Sequence, residues 1–353
     1  MAHENGTVSP NVGAGYPVDE GTVILGIETS CDETAAAVVV GGTEVRSNVV
    51  SSQVDLHARF GGVVPEIAGR AHEQVITSIV AEAMVEAGTK PGEIEVVAAT
   101  VGPGLVGSLL VGVSAAKALA LVWDVPFVGV NHLEAHLYAG LIDEPELELP
   151  IVTLLVSGGH TMLVAFEDHG RYRVLGSTLD DAAGEAFDKV ARFLGLGYPG
   201  GPAIDAAAMA GNPEALHLTR PMIDDGYDFS FSGIKTGVIQ AVRAHPDVST
   251  PDVAASFQAA VTDTLVAKAR RAARELGASA ICLGGGVAAN SELREKLCDA
   301  ATEDGVQALL PSREMCTDNA AMVAVTAWWR LGADGPTGLD AGVDPALSLV
   351  STG

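Results

Sequence analysis

VILGIETSCDETAAAVVV, residues 23–40, reads as two apolar strands joined across a turn of small and acidic residues. Continuous runs of Val, Ile, Leu and Ala suit strands buried on both faces. The pattern restarts at PIVTLLVSGGHTMLVAFE, residues 150–167, where two apolar runs again flank a short turn, SGG. The match is one of pattern and not of residue identity, which makes it a weak internal repeat. After the first pair come a helix, PEIAGRAHEQVITSIVAEAMVEAG, whose leading Pro suits a first turn, the strand IEVVAATVG, an apolar helix and the strand PFVGV. After the second pair come a third strand, RYRVLGSTL, and a helix, DDAAGEAFDKVARFLG. The loop YPGGP, a long helix over DVAASFQAAVTDTLVAKARRAAREL, the buried strand ASAICLGGG and the helix VAANSELREKLCDA come next. A strand, VQALLP, and a last helix from about 317 to 331 complete the pattern. Mixed sheets flanked by helices predict two α/β lobes about an interdomain cleft, with ligands where strand ends meet helix N-termini. The expected division is a disordered leader at 1–21, an N-terminal lobe at 22–130 completed by 319–345, a C-terminal lobe at 131–318 and a loose tail at 346–353.

Composition narrows the function. With 45 acidic against 20 basic residues the formal charge is -25, which repels phosphate backbones on average and argues against a general nucleic-acid coat. Arg59, Arg70, Lys235, Arg270 and Arg271 are the candidates for local contacts, although a solvated face is the default for each. Cys31, Cys282, Cys298 and Cys316 form no C-x-x-C pair, so a reducing, cytoplasmic compartment is expected. The first 20 residues lack the charged and apolar regions of a signal peptide. Leu105 to Trp123 is long enough to span a bilayer, but Lys117 sits inside it and small residues dilute it. A core helix and no membrane association are the expectation.

Three turns carry glycine or small residues next to strands: GIETSCDET at 26–34, LVSGGHT at 155–161 and LGGGVAAN at 283–290. Glycine lets a backbone approach a ligand and aim successive N–H groups at an anion. Each turn alone is as well explained by a hairpin; the three together point to a nucleotide. None has the spacing of a Walker loop or of G-x-G-x-x-G. Asp188 and Asp205 flank the YPGG loop, as ribose or amino-acid acceptors or as solvated acids.

NHLEAHLYAG, residues 131–140, places His132 and His136 four apart, on one helix face. A zinc protease needs Glu beside its first His. Here that neighbour is Leu133, and Glu134 lies about 200° around the helix from His132, so the protease reading fails. A third ligand is available at Asp318 in MCTDNAAM, residues 315–322, and His160 is a further candidate. Two imidazoles and a carboxylate suit Fe(II), Zn(II) or Mn(II).

In order and spacing, GIETSCDETA, SSQVDLHARFGGVVPEIAGRAH, GPGLVGSLLVG, HLEAH, LLVSGGHT, DDAAGEAFDKVARFLGLGYPGGP, DFSFSGIKT, GGGVAAN and CTDNAAM resemble the bacterial TsaD family, over about Val23 to Leu331. The resemblance implies the two-lobed actin/Hsp70/sugar-kinase-like α/β fold. It implies transfer of threonylcarbamoyl from threonylcarbamoyl-AMP to N6 of adenosine 37, in tRNAs reading codons that begin with A. It implies one divalent ion, Fe(2+) with Zn(2+) as the alternative, on His132, His136 and Asp318, and adenylate contacts from Leu155, Val156, Ser157, Gly158, Gly159, Asp188, Gly201, Asp205 and Asn290. TsaB-like and TsaE-like proteins are the implied partners. Glu33 is our candidate for orienting or deprotonating the incoming amine. The rivals are an ATP-dependent kinase or ATPase of the same fold, which a His pair does not suit, and a non-catalytic scaffold subunit.

Overall fold

The computed structural model describes residues 16–142, 144 and 147–349. The expectations for residues 1–15 and 350–353 lie outside these. Two compact units form. The first runs to Ser52 and includes Pro65–Leu147 and the stretch from Asn319; the second comprises Gln53–Val64 and Glu148–Asp318.

In the first unit β1 (Val23–Glu28), β2 (Glu33–Val40), β3 (Glu44–Ser52), β4 (Val96–Gly102) and β5 (Phe127–Asn131) make one sheet in the order β3-β2-β1-β4-β5. The first three strands are antiparallel, and β4 and β5 run parallel to β1. In chain order the first four helices are α1 (Val54–Ala58, in the second unit), α2 (Pro65–Glu86), α3 (Val106–Trp123) and α4 (His132–Ala139). The second unit carries β6 (Ile151–Val156), β7 (Thr161–Asp168), β8 (Arg171–Ser177), β9 (Ala280–Gly284) and β10 (Gln307–Leu309), ordered β10-β9-β6-β7-β8. Its remaining helices are α5 (Ala183–Leu194), α6 (Gly200–Ala208), α7 (Ser232–Ala244), α8 (Thr250–Leu276), α9 (Ser291–Asp304) and α10 (Arg313–Cys316); α11 (Ala320–Asp334) returns to the first unit. Again three strands are antiparallel and two are parallel to the first of them. The repeat read from the apolar pattern is therefore a repeat of topology.

Burial explains the pattern. All but the first residue of β1 and of β2 are buried, because α2 and α3 pack on this sheet and α11 also lies against β1 and β2. Gly26 permits the approach of α11: a Cβ there would stand 2.5 Å from the Ala320 carbonyl oxygen. In the second unit α8 is buried around most of its circumference. It starts at Ser249, whose hydroxyl accepts from the Asp252 amide, and ends on Gly277 in the left-handed conformation. Among the described residues α3 is the one helix long and apolar enough to cross a membrane by length and composition. Its Leu109, Val113, Ala116 and Ala120 are core, and Lys117 donates to the Ala341 carbonyl over the Phe127 ring.

Several expectations change. The first unit continues to Leu147, past the expected limit at 130, because α4 packs on β5 and α11. Residues 53–64 group with the second unit. The last helix begins at Ala320, not near 317, since Asn319 caps it by accepting from the Met322 amide. A helix also starts inside YPGG, at Gly200. Residues 16–21, assigned to a leader, are held on α11: the Tyr16 amide donates to the Leu331 carbonyl and the Trp328 indole to the Asp19 carbonyl. The stretch after Gly332 is laced to the first sheet. Thr337 bonds Phe127 and Gly129, Asp344 donates to the Val101 carbonyl, and the Ser348 carbonyl accepts from the Asn131 side chain.

Candidate metal centre and anion-binding turn

The strand β5 runs directly into α4, and Asn131 makes the junction sharp. Its side-chain oxygen accepts from the Leu133 and Glu134 amides at 2.8 and 3.3 Å. All eight residues of α4 are buried. His132 and His136 present their rings edge to face, with centroids 4.7 Å apart. Asp318 precedes the Asn319 cap of α11 by one peptide bond, and the ligand atoms offered by His132, His136 and Asp318 all lie within 4.8 Å of one another. An ion about 2.0–2.2 Å from each donor would hold them no more than roughly 4.4 Å apart, so a small side-chain rotation closes the set. The residues fit a divalent transition metal. His160 is not in this group.

Glu134, on the other side of α4, is engaged elsewhere. Its carboxylate accepts from Arg330 Nε at 2.7 Å, with both side chains largely buried. The acid of HLEAH therefore ties α4 to α11 and is no general base.

A residue missed in the sequence holds His132. Glu28, at the end of β1 and fully buried, places Oε2 3.1 Å from His132 Nδ1. Thr100 donates to the same oxygen at 2.6 Å, and the Ser30 amide to Oε1 at 2.5 Å. A carboxylate closing a buried apolar strand was the available signal, because such a charge needs partners.

In the second unit the turn after β6 is open. Ser157 N donates to the His160 carbonyl at 2.8 Å, and His160 N to Ser157 Oγ at 3.1 Å. Among the described residues nothing stands within 4 Å of where a Cβ on Gly158 or Gly159 would be, and both are exposed, so the backbone there is accessible to a ligand. Leu155 and Val156 are fully buried in β6 and paired with Met162 and Thr161; they carry the turn without offering side chains to a ligand. Beside β6, the end of β9 turns at Gly285 with φ +85°, where a Cβ would lie 2.5 Å from the Val156 carbonyl oxygen. Asn290, expected inside a helix, is the cap of α9 and also donates to Gln258 at 2.8 Å and to Asp205 at 3.3 Å. Asp205 in turn accepts from the amide and hydroxyl of Ser291. The carboxylate of Asp188 accepts from Gly200 N at 2.7 Å, at the start of α6. Burial raises the Asp188 pKa, against the opposing pull of the Gly200 amide and Arg192. No heavy atom stands within 4 Å of a Cβ placed on Gly201.

Glu33 opens β2 and accepts from the Ser52 hydroxyl at 3.0 Å. The candidate cations divide. Arg270 is paired with Glu303 and Asp304, and Arg271 donates to the Ile223 and Gly226 carbonyls. Arg59 lies over the exposed Phe60 ring, its guanidinium 4.7 Å from the centroid.

Residues 44–325 match the family model described as TsaD, tRNA N6-adenosine threonylcarbamoyltransferase. The chain belongs to the TsaD family. It is 54% identical over 332 residues to the tRNA N6-adenosine threonylcarbamoyltransferase of Symbiobacterium thermophilum, covering 93% of this chain and 97% of that protein. It is 54% identical over 314 residues to the enzyme of the same name from Moorella thermoacetica, covering 88% and 92%. The activity of this TsaD-family chain is accordingly threonylcarbamoyl transfer, an acyl transfer. Fold likeness extends further. Full-length HypF in its phosphate- and nucleotide-bound form superposes with TM-score 0.61 at 15% identity, over 93% of this chain and 48% of that one. Component A of Acidaminococcus fermentans (R)-2-hydroxyglutaryl-CoA dehydratase gives 0.54 at 13% identity, over 88% and 99%. At these identities the likeness concerns the fold alone, and it is the actin/Hsp70/sugar-kinase-like one.

Proposed function

We propose that the acyl donor is threonylcarbamoyl-AMP and that the acceptor is N6 of adenosine 37, in tRNAs reading codons that begin with A. The observation that carries this reading is the open stretch Gly158–Gly159 of the turn, whose exposed backbone suits the phosphate of an adenylate. Asn290 and Asp205 form a fixed polar pair for the nucleoside, and Asp188 and Gly201 border the start of α6 as a second set of contacts. The bond that forms joins N6 to the carbamoyl carbon; the bond that breaks is the anhydride C–O, and AMP leaves with its electron pair. With so good a leaving group the protein's task is mainly positioning and charge stabilisation.

His132, His136 and Asp318 would hold one divalent ion, iron in this reading with zinc as the alternative. When bound, it supplies Lewis acidity toward an oxygen of the acyl phosphate. Glu33, on the same turn as Glu28 and Ser30, orients the incoming amine or takes its proton. The -25 charge makes the chain alone a poor grip for tRNA, so tRNA affinity arises in an assembly with TsaB-like and TsaE-like partners in the cytoplasm. Arg59, Arg70 and Lys235 are retained as separate candidate contacts, since Arg270 is paired with Glu303 and Asp304 and Arg271 with the Ile223 and Gly226 carbonyls.

The decisive experiment mixes the chain and its partners with threonylcarbamoyl-AMP and tRNA, then identifies the modified nucleoside by mass spectrometry. Threonylcarbamoyl on adenosine 37 without added ATP is the expected result. Unmodified tRNA under these conditions, with modification appearing only when ATP, threonine and bicarbonate replace the adenylate, would remove threonylcarbamoyl-AMP as the donor.

A further inference from the structure

We infer that Glu28 is the positioning residue of the metal centre, fixing His132 in the tautomer whose Nε2 carries the ligating lone pair. This rests on the reading of His132 as a ligand and deepens it.

Glu28 is fully buried at the end of β1, and its carboxylate is met by donors on both oxygens. Oε1 accepts from the Ser30 amide at 2.5 Å; Oε2 accepts from the Thr100 hydroxyl at 2.6 Å and lies 3.1 Å from His132 Nδ1. With the Thr100 hydroxyl and the Ser30 amide both donating to it, Glu28 is read as the ionised carboxylate, which only accepts, and the imidazole then places its proton on Nδ1. Ser30 Oγ, 3.2 Å from the same nitrogen, is the shared second acceptor. Nε2 is then the unprotonated nitrogen with a lone pair. Carboxylate–histidine pairs of this kind orient the ring and raise its basicity as a ligand. β1 supplies Glu28, the turn after it supplies Ser30 and β4 supplies Thr100, so the histidine is aimed by the sheet as well as by its own helix.

The arrangement makes Glu28→Gln a severe change despite its similar shape. An amide has one acceptor end and one donor end. If its oxygen faces His132 and Thr100, its NH2 meets the donating Ser30 amide. If its oxygen faces Ser30, its NH2 meets Nδ1 and drives the proton to Nε2, which abolishes the ligand.

The test is direct titration of the full-length chain with Co(II), read by its absorption bands, and by proton NMR of the Co(II) form for the Nδ1–H signal that the buried hydrogen bond protects from exchange. Glu28→Gln should weaken Co(II) binding by about 10- to 100-fold and lose that signal. Thr100→Val, which keeps the shape and removes one donor, should weaken binding several-fold and keep the signal. Thermal melting of the metal-free proteins checks folding, and Thr100→Val carries the test alone if Glu28→Gln does not fold. Wild-type affinity with an intact signal in Glu28→Gln would overturn the inference and leave the metal reading in place. Wild-type affinity in Thr100→Val, when that variant carries the test alone, would do the same. A wild-type chain that takes up no more Co(II) than His132→Ala would remove the metal reading and this inference with it.

Discussion

The turn from β1 to β2 and the turn from β6 to β7 occupy the same place in two copies of one topology, and they have been finished in opposite ways. The first is filled with side chains: Glu28, Thr29 and Ser30 are buried, and two of them reach His132. The second has been stripped to Ser157, Gly158 and Gly159, with open space where the glycine side chains would be. A turn that aims a ligand needs fixed side chains; a turn that receives an anion needs bare N–H groups. One topology, used twice, supplies both through the residues that follow its first strand.

The largest effect should come from emptying the side-chain turn's client. His132→Ala and Asp318→Ala should each lose metal and at least about 100-fold in transfer together, measured by metal analysis alongside single-turnover transfer; full activity in metal-free protein would contradict the metal's role. Next is a carboxylate placed on the bare turn. Gly159→Asp should melt within about 0.5 kcal/mol of wild type, since it is a substitution into open space, while adenylate binding weakens at least about tenfold by calorimetry through like-charge repulsion. A tight adenylate complex in this variant would break the contrast between the two turns. Glu134→Ala should lower stability by about 2 kcal/mol by removing a charge-assisted hydrogen bond from a largely buried site, while Arg330 keeps Asp334; denaturant unfolding reads it, and a null result would mean that α4 is held by packing alone.

The smallest effect is one of pH. Asp180 anchors the start of α7: burial opposes its charge, but hydrogen bonds from the Ser230 and Ser232 hydroxyls and the Phe231 and Ser232 amides outweigh it and lower its pKa to about 2. A folded pKa below the unfolded value contributes stability that is complete above about 4 and is lost as pH falls toward 2. Asp180→Asn should therefore flatten the acid limb of stability between about pH 4 and 2, measured by denaturant unfolding across that range.

The central strands were legible because burial on both faces leaves an unbroken apolar run. The edge strand β3, EVRSNVVSS, was not, because most of its residues are at least partly open to water and its polar positions imitate a loop. His132 and His136 share a helix face by their spacing, and Asp318 is a third candidate from its place at a helix start; their proximity is a matter of the fold. Glu28 could not be found by spacing: its partners are 72 residues away at Thr100 and 104 away at His132, and only the sheet joins them. The junctions misread at Asn290 and Asn319 are caps, where a residue belongs to the helix by its hydrogen bonds and not by its conformation.

The lacing of residues 337–348 along β4, β5 and Asn131 has a consequence in time. These residues, like α11, leave the ribosome only after the whole of Glu148–Asp318 has been made. Until they emerge, the first unit lacks the helix that covers its sheet and the strap that steadies the cap of α4. His132 and His136 are thus among the earlier residues synthesised and among the last to be set in place, so a nascent chain cannot offer a finished metal site.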